Sequence, residues 1–415
     1  MNILLITYYF DQNKDVGAQR WIKNLKYLEK KKHNLTVFTF KNSEKKTNTK
    51  ILVNNRIEPN YIYKKLFKKN VPKDILTRKK NHLIDKLLIF IRSNLFIPDS
   101  RVLYYFSSVK ILKNHLKNNS YDIVISSGPP HSMHLIARKI TSKFKIPWIA
   151  DFRDPWTKIE YFKKLPISKM SKYIHEVLEK KIIKECDCLI TVSDYWGNHF
   201  KKIGAKKVKV INNGFDKEDF KYFKSEPNNV SIAHFGTFPE SRNNKTLLDV
   251  LDLIFNDKLL GKKMKVSFYG YTYKNFKSDL NIFEYKSRVN LYSHLDYDKA
   301  IEKMQNYRYL LVSLSRSEMS KGRIPLKIYD YMASKRKIIA IGEKGTDLEN
   351  IINNYKLGIY IYYGKERVLY NYIKKDMKTL NKSNISKSCN NFSKEYQVEK
   401  LNNIIVDISN KKNIH

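Results

Sequence analysis

Short, predominantly apolar runs alternate along this chain with stretches whose apolar residues recur every three or four positions. Residues 3–8 and 35–40 are runs of the first kind, and between them Ala18, Trp21, Ile22, Leu25 and Leu28 share one helical face. A short run that is apolar throughout reads as a strand buried on both sides. Strand, helix, strand within fifty residues predicts a βαβ unit and a parallel sheet. The alternation continues with strands over 122–127, 146–150, 189–193 and 208–211, and with Met133, Ile136, Ala137 and Ile140 on an intervening helix. Residues 217–229 are polar and contain Pro227. A second series then begins, with strands over 230–235, 266–270, 289–292, 309–313 and 338–341 and a helix carrying Leu247, Leu248, Leu251 and Ile254. The prediction is an α/β protein with two Rossmann-like domains, 1–220 and 221–390. A closing segment, 391–415, holds an amphipathic helix marked by Val398, Leu401, Ile404, Ile405 and Ile408.

Residues 41–120 are the least legible. Eight Lys and Arg lie between Lys64 and Lys80, and Leu83, Ile84, Leu87, Leu88, Ile91 and Leu95 follow at helical spacing. A basic cluster beside an apolar helical face suits an interfacial helix. A core helix with a solvated basic approach explains the same pattern, and the sequence leaves both open.

The turns after the strands carry the candidate chemistry, because open parallel sheets bind ligands at the carboxyl ends of their strands. The first turn holds Gly17 without a G-x-G-x-x-G, which argues against a dinucleotide fingerprint. Gly128-Pro129-Pro130-His131 is a rigid turn, and twenty residues later Asp151-Phe152-Arg153-Asp154-Pro155-Trp156 sets three charges at the end of a buried strand. Such charges are costly there unless they are paired or functional. Near the end of the second series, Gly322-Arg323-Ile324-Pro325-Leu326-Lys327-Ile328-Tyr329-Asp330 reads as a loop running into a helix whose first turn suits Pro325. A helix start with Arg323 and Lys327 beside it suits a phosphate, and Asp330 is placed to accept sugar hydroxyls.

These residues resemble glycosyltransferase family 4, the retaining GT-B enzymes. The Ser-Gly-Pro-Pro-His and Asp-Phe-Arg-Asp-Pro-Trp pair and the Gly-x-Ile-Pro-x-Lys-x-x-Asp-Tyr segment are similar to its bacterial surface-polysaccharide branch. The resemblance implies a GT-B fold, with two Rossmann-like domains facing across a cleft and a last helix crossing back to the first domain. It implies a nucleotide-sugar donor on the second domain, held by Gly236, Arg242, Lys245, Leu295, Gly322, Arg323, Lys327 and Asp330. Gly17 and Arg20 match the loop at the cleft mouth. Asp151, Arg153, Asp154 and His131 would orient the acceptor and the departing group. Asp330 falls on the second of two glutamates that the family carries; Gly322 falls on the first, and Glu318 is a candidate to replace it. The chemistry implied is same-face attack with the leaving phosphate as base. It needs no side-chain nucleophile, no metal and no cofactor.

Composition adds bounds. At 415 residues the chain exceeds what one core supports. Its net charge of +40 demands an anionic partner or a compositional drift. Abundant Asn, Ile, Tyr and Lys suggest that an AT-rich genome supplies part of it. The charge is spread through every segment and no nucleic-acid-binding motif accompanies it, so a specific nucleic-acid partner is not expected. Cys186, Cys188 and Cys389 lack the spacing of a zinc site and read as reduced buried thiols. The start has no basic region before its apolar run, and no stretch reaches the ~18 apolar residues of a spanning helix. The expectation is a cytoplasmic enzyme with a glycan or lipid-linked acceptor and an anionic membrane surface as a candidate partner. The alternatives are a GT-B nucleotide-sugar epimerase or hydrolase and, further off, a basic nucleic-acid binder.

Overall fold

A computed structural model of the chain describes residues 1–10, 16–40, 48–55, 83–159, 162, 164–220, 224–242, 245–280, 286–379 and 388–410. The predicted basic cluster over 64–80 lies outside these residues. The chain divides into two compact units: Met1–Asn212 with Val398–His415, and Asn213–Gln397.

The first unit holds a parallel sheet of β1 (Asn2–Thr7), β2 (Asn34–Thr39), β3 (Lys50–Val53), β4 (Ile123–Gly128), β5 (Trp148–Phe152), β6 (Cys188–Thr191) and β7 (Val208–Val210) in the order β3-β2-β1-β4-β5-β6-β7. The second holds β8 (Ser231–Phe235), β9 (Lys265–Tyr269), β10 (Val289–Tyr292), β11 (Tyr309–Ser313), β12 (Lys337–Gly342) and β13 (Gly358–Tyr362) in the order β10-β9-β8-β11-β12-β13. Strand order reverses between β1 and β4 in one sheet and between β8 and β11 in the other. In parallel sheets that reversal opens a crevice at the carboxyl ends. The strands β1, β4, β5, β8 and β11 are buried almost throughout, which is why apolar residues dominate them without a polar face.

The strand after residue 146 runs further than the sequence predicts. β5 extends through Phe152, so Asp151 lies within it and is fully buried. The helix after Gly322 starts at Lys327, not Pro325. The Pro325 and Leu326 carbonyls accept from the amides of Ile328 and Tyr329, a tight first turn that places Pro325 just outside. Helix Lys394–Asn410 contributes Val398, Leu401, Ile405 and Ile408 to the core formed by Ile3, Leu5, Trp21 and Val37. Cys186, Cys188 and Cys389 are buried, and burial raises the Cys188 thiol to about 12. Among the described residues no helix is long and apolar enough to cross a membrane.

Candidate functional site

In the first unit the residues gather around the carboxyl ends of β1, β4 and β5. The Asp151 carboxylate accepts from Arg20 Nε (3.3 Å) and Nη2 (3.2 Å), Trp21 Nε1 (2.7 Å) and Ser127 Oγ (2.9 Å). Arg20 also donates to the Ile211 carbonyl at 3.1 Å. Asp151 is 0% exposed and Arg20 5%. A buried ion pair needs these further hydrogen bonds to offset desolvation. Asp151 and Arg20 are thereby fixed inside the unit, and their role is to position neighbours. Arg153 does this next: it donates through Nε to the Gly128 carbonyl (3.2 Å), through Nη2 to Pro129 (2.5 Å) and through Nη1 to Gly17 (2.5 Å). One guanidinium thus ties the start of helix Val16–Lys30 to the turn after β4. Burial lowers the Arg153 pKa, against Asp151 and Asp154, which raise it. Asp154 is exposed.

His131 follows the cis-linked Gly128-Pro129-Pro130 turn. It is 4% exposed and stacks on Trp156 (5.3 Å, 7°) and Phe152 (5.5 Å, 30°). Among the described residues neither of its ring nitrogens has a hydrogen-bond partner. His134 and His175 complete the cluster. His134 Nδ1 lies 2.7 Å from Ser126 Oγ, and His175 Nδ1 accepts from Trp156 Nε1 at 2.9 Å. Burial holds all three imidazoles neutral, His131 well below the usual value, His134 at about 3 and His175 at about 4. The space is tight: a Cβ on Gly128 would stand 2.6 Å from His134 Nε2 and 3.0 Å from His131 Nδ1. His131 is therefore a packed wall of the turn, and Asp154 is the candidate that reaches solvent.

In the second unit the site forms at the reversal between β8 and β11. Gly236 follows β8 with φ +90, and a Cβ there would lie 3.4 Å from Lys327 Nζ. Lys327 Nζ stands 2.9 Å from His234 Nε2, while His234 Nδ1 lies 3.0 Å from the Leu311 carbonyl. A carbonyl only accepts, so Nδ1 carries the imidazole proton and Nε2 accepts from the ammonium. Burial, then Lys327, holds the His234 pKa well below its usual value. Burial and Arg242 bring Lys327 down to about 7, and burial and Arg323 bring Arg242 down to about 10. Arg242 Nη1 donates to the Thr237 carbonyl at 3.3 Å, and Ser313 Oγ at the end of β11 donates to the Arg242 carbonyl at 2.6 Å. Cations whose pKa a buried site and a neighbouring cation depress in this way would be relieved by a bound anion. Lys245, first in helix Lys245–Asn256, is exposed.

Asp330 lies one turn into helix Lys327–Ala333. Tyr297 Oη lies 2.9 Å from its Oδ1 and 3.1 Å from Asp219 Oδ2; with one proton it donates to one carboxylate at a time. Gly322 is buried at φ −100, a conformation open to any residue, so its glycine answers no backbone demand. Glu318 is exposed in the 3-10 turn Glu318–Lys321. Leu295 packs against the core beside helix Tyr297–Met304. Among the described residues no cluster of His, Cys, Asp and Glu could hold a metal ion.

The sequence model of Glycosyltransferase Family 4 matches residues 17–219, nearly the whole first unit beyond β1. Over that span the chain is similar to Glycosyltransferase Family 4. Solved structures agree with the chain in fold, the GT-B architecture. The sucrose-phosphate synthase of Thermosynechococcus elongatus aligns with a TM-score of 0.66 at 12% identity, over 98% of each chain. Anabaena HepE in complex with UDP and glucose aligns at 0.59 and 14% identity, over 97% of this chain and 99% of that one. The lipopolysaccharide outer core galactosyltransferase WaaB aligns at 0.61 and 13% identity, over 98% and 99%. No curated protein sequence matches the chain.

Several partners escape the sequence reading: His234 under Lys327, Tyr297 against Asp330, and Trp21 and Ser127 on Asp151. His234 had a signal, since it is the one ionisable residue in the apolar run 230–235 and a buried polar group needs a partner. Tyr297 and Trp21 had none, because their contacts cross long stretches of sequence.

Proposed function

We propose that the protein transfers a sugar from a nucleotide-sugar donor to a glycan or lipid-linked acceptor of surface polysaccharide synthesis, with retention of configuration and without a metal or other cofactor. The observation that carries this reading is the group of Lys327, Arg242 and Arg323 around the Gly236 turn, where Arg242 lowers the Lys327 pKa and Arg323 that of Arg242. The donor diphosphate binds there, with Lys245 at the rim. Asp330 accepts from the ribose once Tyr297 yields it, the loop at Leu295 meets the base, and Gly322 leaves room beside the sugar. The acceptor hydroxyl oxygen bonds to the anomeric carbon on the face the diphosphate leaves. The carbon–oxygen bond to the diphosphate breaks, its electron pair stays on the phosphate oxygen, and that oxygen takes the acceptor proton. Charge grows on the diphosphate as the bond breaks, so preorganised cations act on the transition state. Asp154 orients the acceptor. Arg153, Gly17 and His131 shape the turn beside it, and Asp151 with Arg20 holds that turn. The bound UDP in the HepE structure favours a uridine nucleotide. We place the enzyme in the cytoplasm at the inner face of the membrane.

Thermal unfolding in the presence of a panel of nucleotide sugars tests the donor, since a ligand that binds only the folded protein raises the midpoint. Protection by UDP and at least one UDP-sugar is expected; no protection by any nucleotide overturns the reading. Product analysis then separates the alternatives. Sugar release or epimerisation with donor alone, unaffected by glycan acceptors, would identify a hydrolase or epimerase, and an inverted product would remove retention.

A further inference from the structure

Helix Lys169–Glu185 is buried on one side, Glu179 included, and carries an exposed apolar stripe on the other. Its inner side carries the buried Ser171, His175, Ile182 and Ile183. On the outer side Met170, Tyr173 and Val177 fall within about 60° of one another and are 75%, 67% and 42% exposed. Helix Leu83–Leu95 packs against it, fastened by Asn94, whose Nδ2 donates to the Pro166 carbonyl (2.8 Å) and whose Oδ1 accepts from the Ser168 amide (2.8 Å). Leu87 and Leu95 on that helix are 58% and 72% exposed, although the sequence allows them a core role.

The charge on this face is one-sided. The helix's acidic residues are engaged: Glu176 faces Lys172 at 3.9 Å, Glu185 pairs with Arg138, and Glu179 is buried, accepting from Trp156 and Thr157. Lys180, Lys181 and Lys184, at the far end of the stripe, are exposed, and among the described residues none has an acidic partner. An outward apolar stripe running into unpaired lysines on a chain of net charge +40 matches an anionic lipid surface.

We propose that the outer face of helix Lys169–Glu185 is where the protein docks on an anionic bilayer. Met170, Tyr173 and Val177 enter the headgroup boundary, and Lys180, Lys181 and Lys184 meet the lipid phosphates. The inference deepens the function proposed above and rests on it for its purpose, since a lipid-linked acceptor lies in such a surface.

Co-sedimentation of the full chain with phosphatidylcholine vesicles, with and without phosphatidylglycerol, tests it. Binding should require the anionic lipid and weaken with salt. The partition coefficient should fall about tenfold or more in Met170→Ser/Tyr173→Ser/Val177→Ser and in Lys180→Gln/Lys181→Gln/Lys184→Gln. All six side chains are exposed, and slow hydrogen exchange in β1 and β4 at the wild-type level in each variant confirms the fold of the first unit. Wild-type protein that stays in the supernatant at low salt, or variants that bind as well as wild type, overturn the proposal. A wild-type dimer that the serine variant dissolves, without vesicle binding, would make the face a self-interface and also overturn it. Vesicle binding without any nucleotide protection would leave the docking surface standing and reject the transferase reading instead.

Discussion

At the scale of single residues, Lys327 is the most informative group. Its pKa of about 7 stands below the ordinary lysine value because the folded protein buries it near Arg242. Between that value and about 10.5 the unfolded chain binds a proton that the folded chain has lost, so this lysine's contribution to stability rises with pH in that window. Ligand binding has the opposite sign. A bound diphosphate favours the charged amine, so binding takes up a proton and affinity should fall as pH rises from about 7 to about 9. Calorimetric titration with UDP across that range should show the fall. Lys327→Met should bind at least about tenfold more weakly and lose most of the dependence. An affinity flat with pH in the wild type would remove Lys327 from the phosphate site. Asp151 makes a different kind of prediction. Asp151→Ala leaves Arg20 buried without its carboxylate and should cost about 3–5 kcal/mol of stability. Arg20→Ala should cost less, because Asp151 retains Trp21 and Ser127. Urea unfolding of the two variants gives the order; the reverse order, or equal small losses, would show that the pair is not the anchor of this turn.

At the scale of elements, the strands buried on both faces were legible as apolar runs, and β8 and β11 lie where the pattern puts them. Of the edge strands, β7 and β10 were read, but β3 and β13 were not. Lys50–Val53 has four residues, none fully buried, and Gly358–Tyr362 has one. Half-buried positions leave only a weak pattern to read. The apolar spacing of Leu83–Leu95 predicted a helix correctly but not which way its apolar side turns, since periodicity is silent on direction. The charged turn after β5 was visible as an anomaly, yet only three dimensions show Arg153 spending its donors on Gly17, Gly128 and Pro129. Arg153→Ala frees that turn and leaves the second unit's phosphate site untouched. Turnover should drop about a hundredfold or more, as misplacement of a reacting group does, while the UDP dissociation constant stays within a factor of about two. Steady-state kinetics beside UDP titration separates the two; a large loss of UDP affinity would place Arg153 on the donor instead.

At the scale of the whole molecule, the chain leaves its first unit after Asn212 and returns to it at Val398. The core of β1, β2 and helix Val16–Lys30 is therefore completed by residues from the far end of the sequence: Val398, Leu401, Ile404, Ile405 and Ile408. Burying one such side chain contributes up to about 1.5–3 kcal/mol, so five contribute up to about 7–15 kcal/mol, which rivals the ~5–15 kcal/mol of a whole domain. Ending the chain at Gln397 should thus unfold the first unit while the second keeps its own sheet and its cores. The cation group at Gly236 belongs wholly to that second unit. The truncated protein should therefore still be protected by UDP against heating, yet have no transferase activity and show rapid hydrogen exchange in β1 and β2. Adding residues 398–410 back as a peptide should restore slow exchange there if the helix acts by covering apolar surface. Slow exchange in the truncated chain without the peptide would mean that β1, β2 and Trp21 are stable alone, and that the returning helix serves something other than the core.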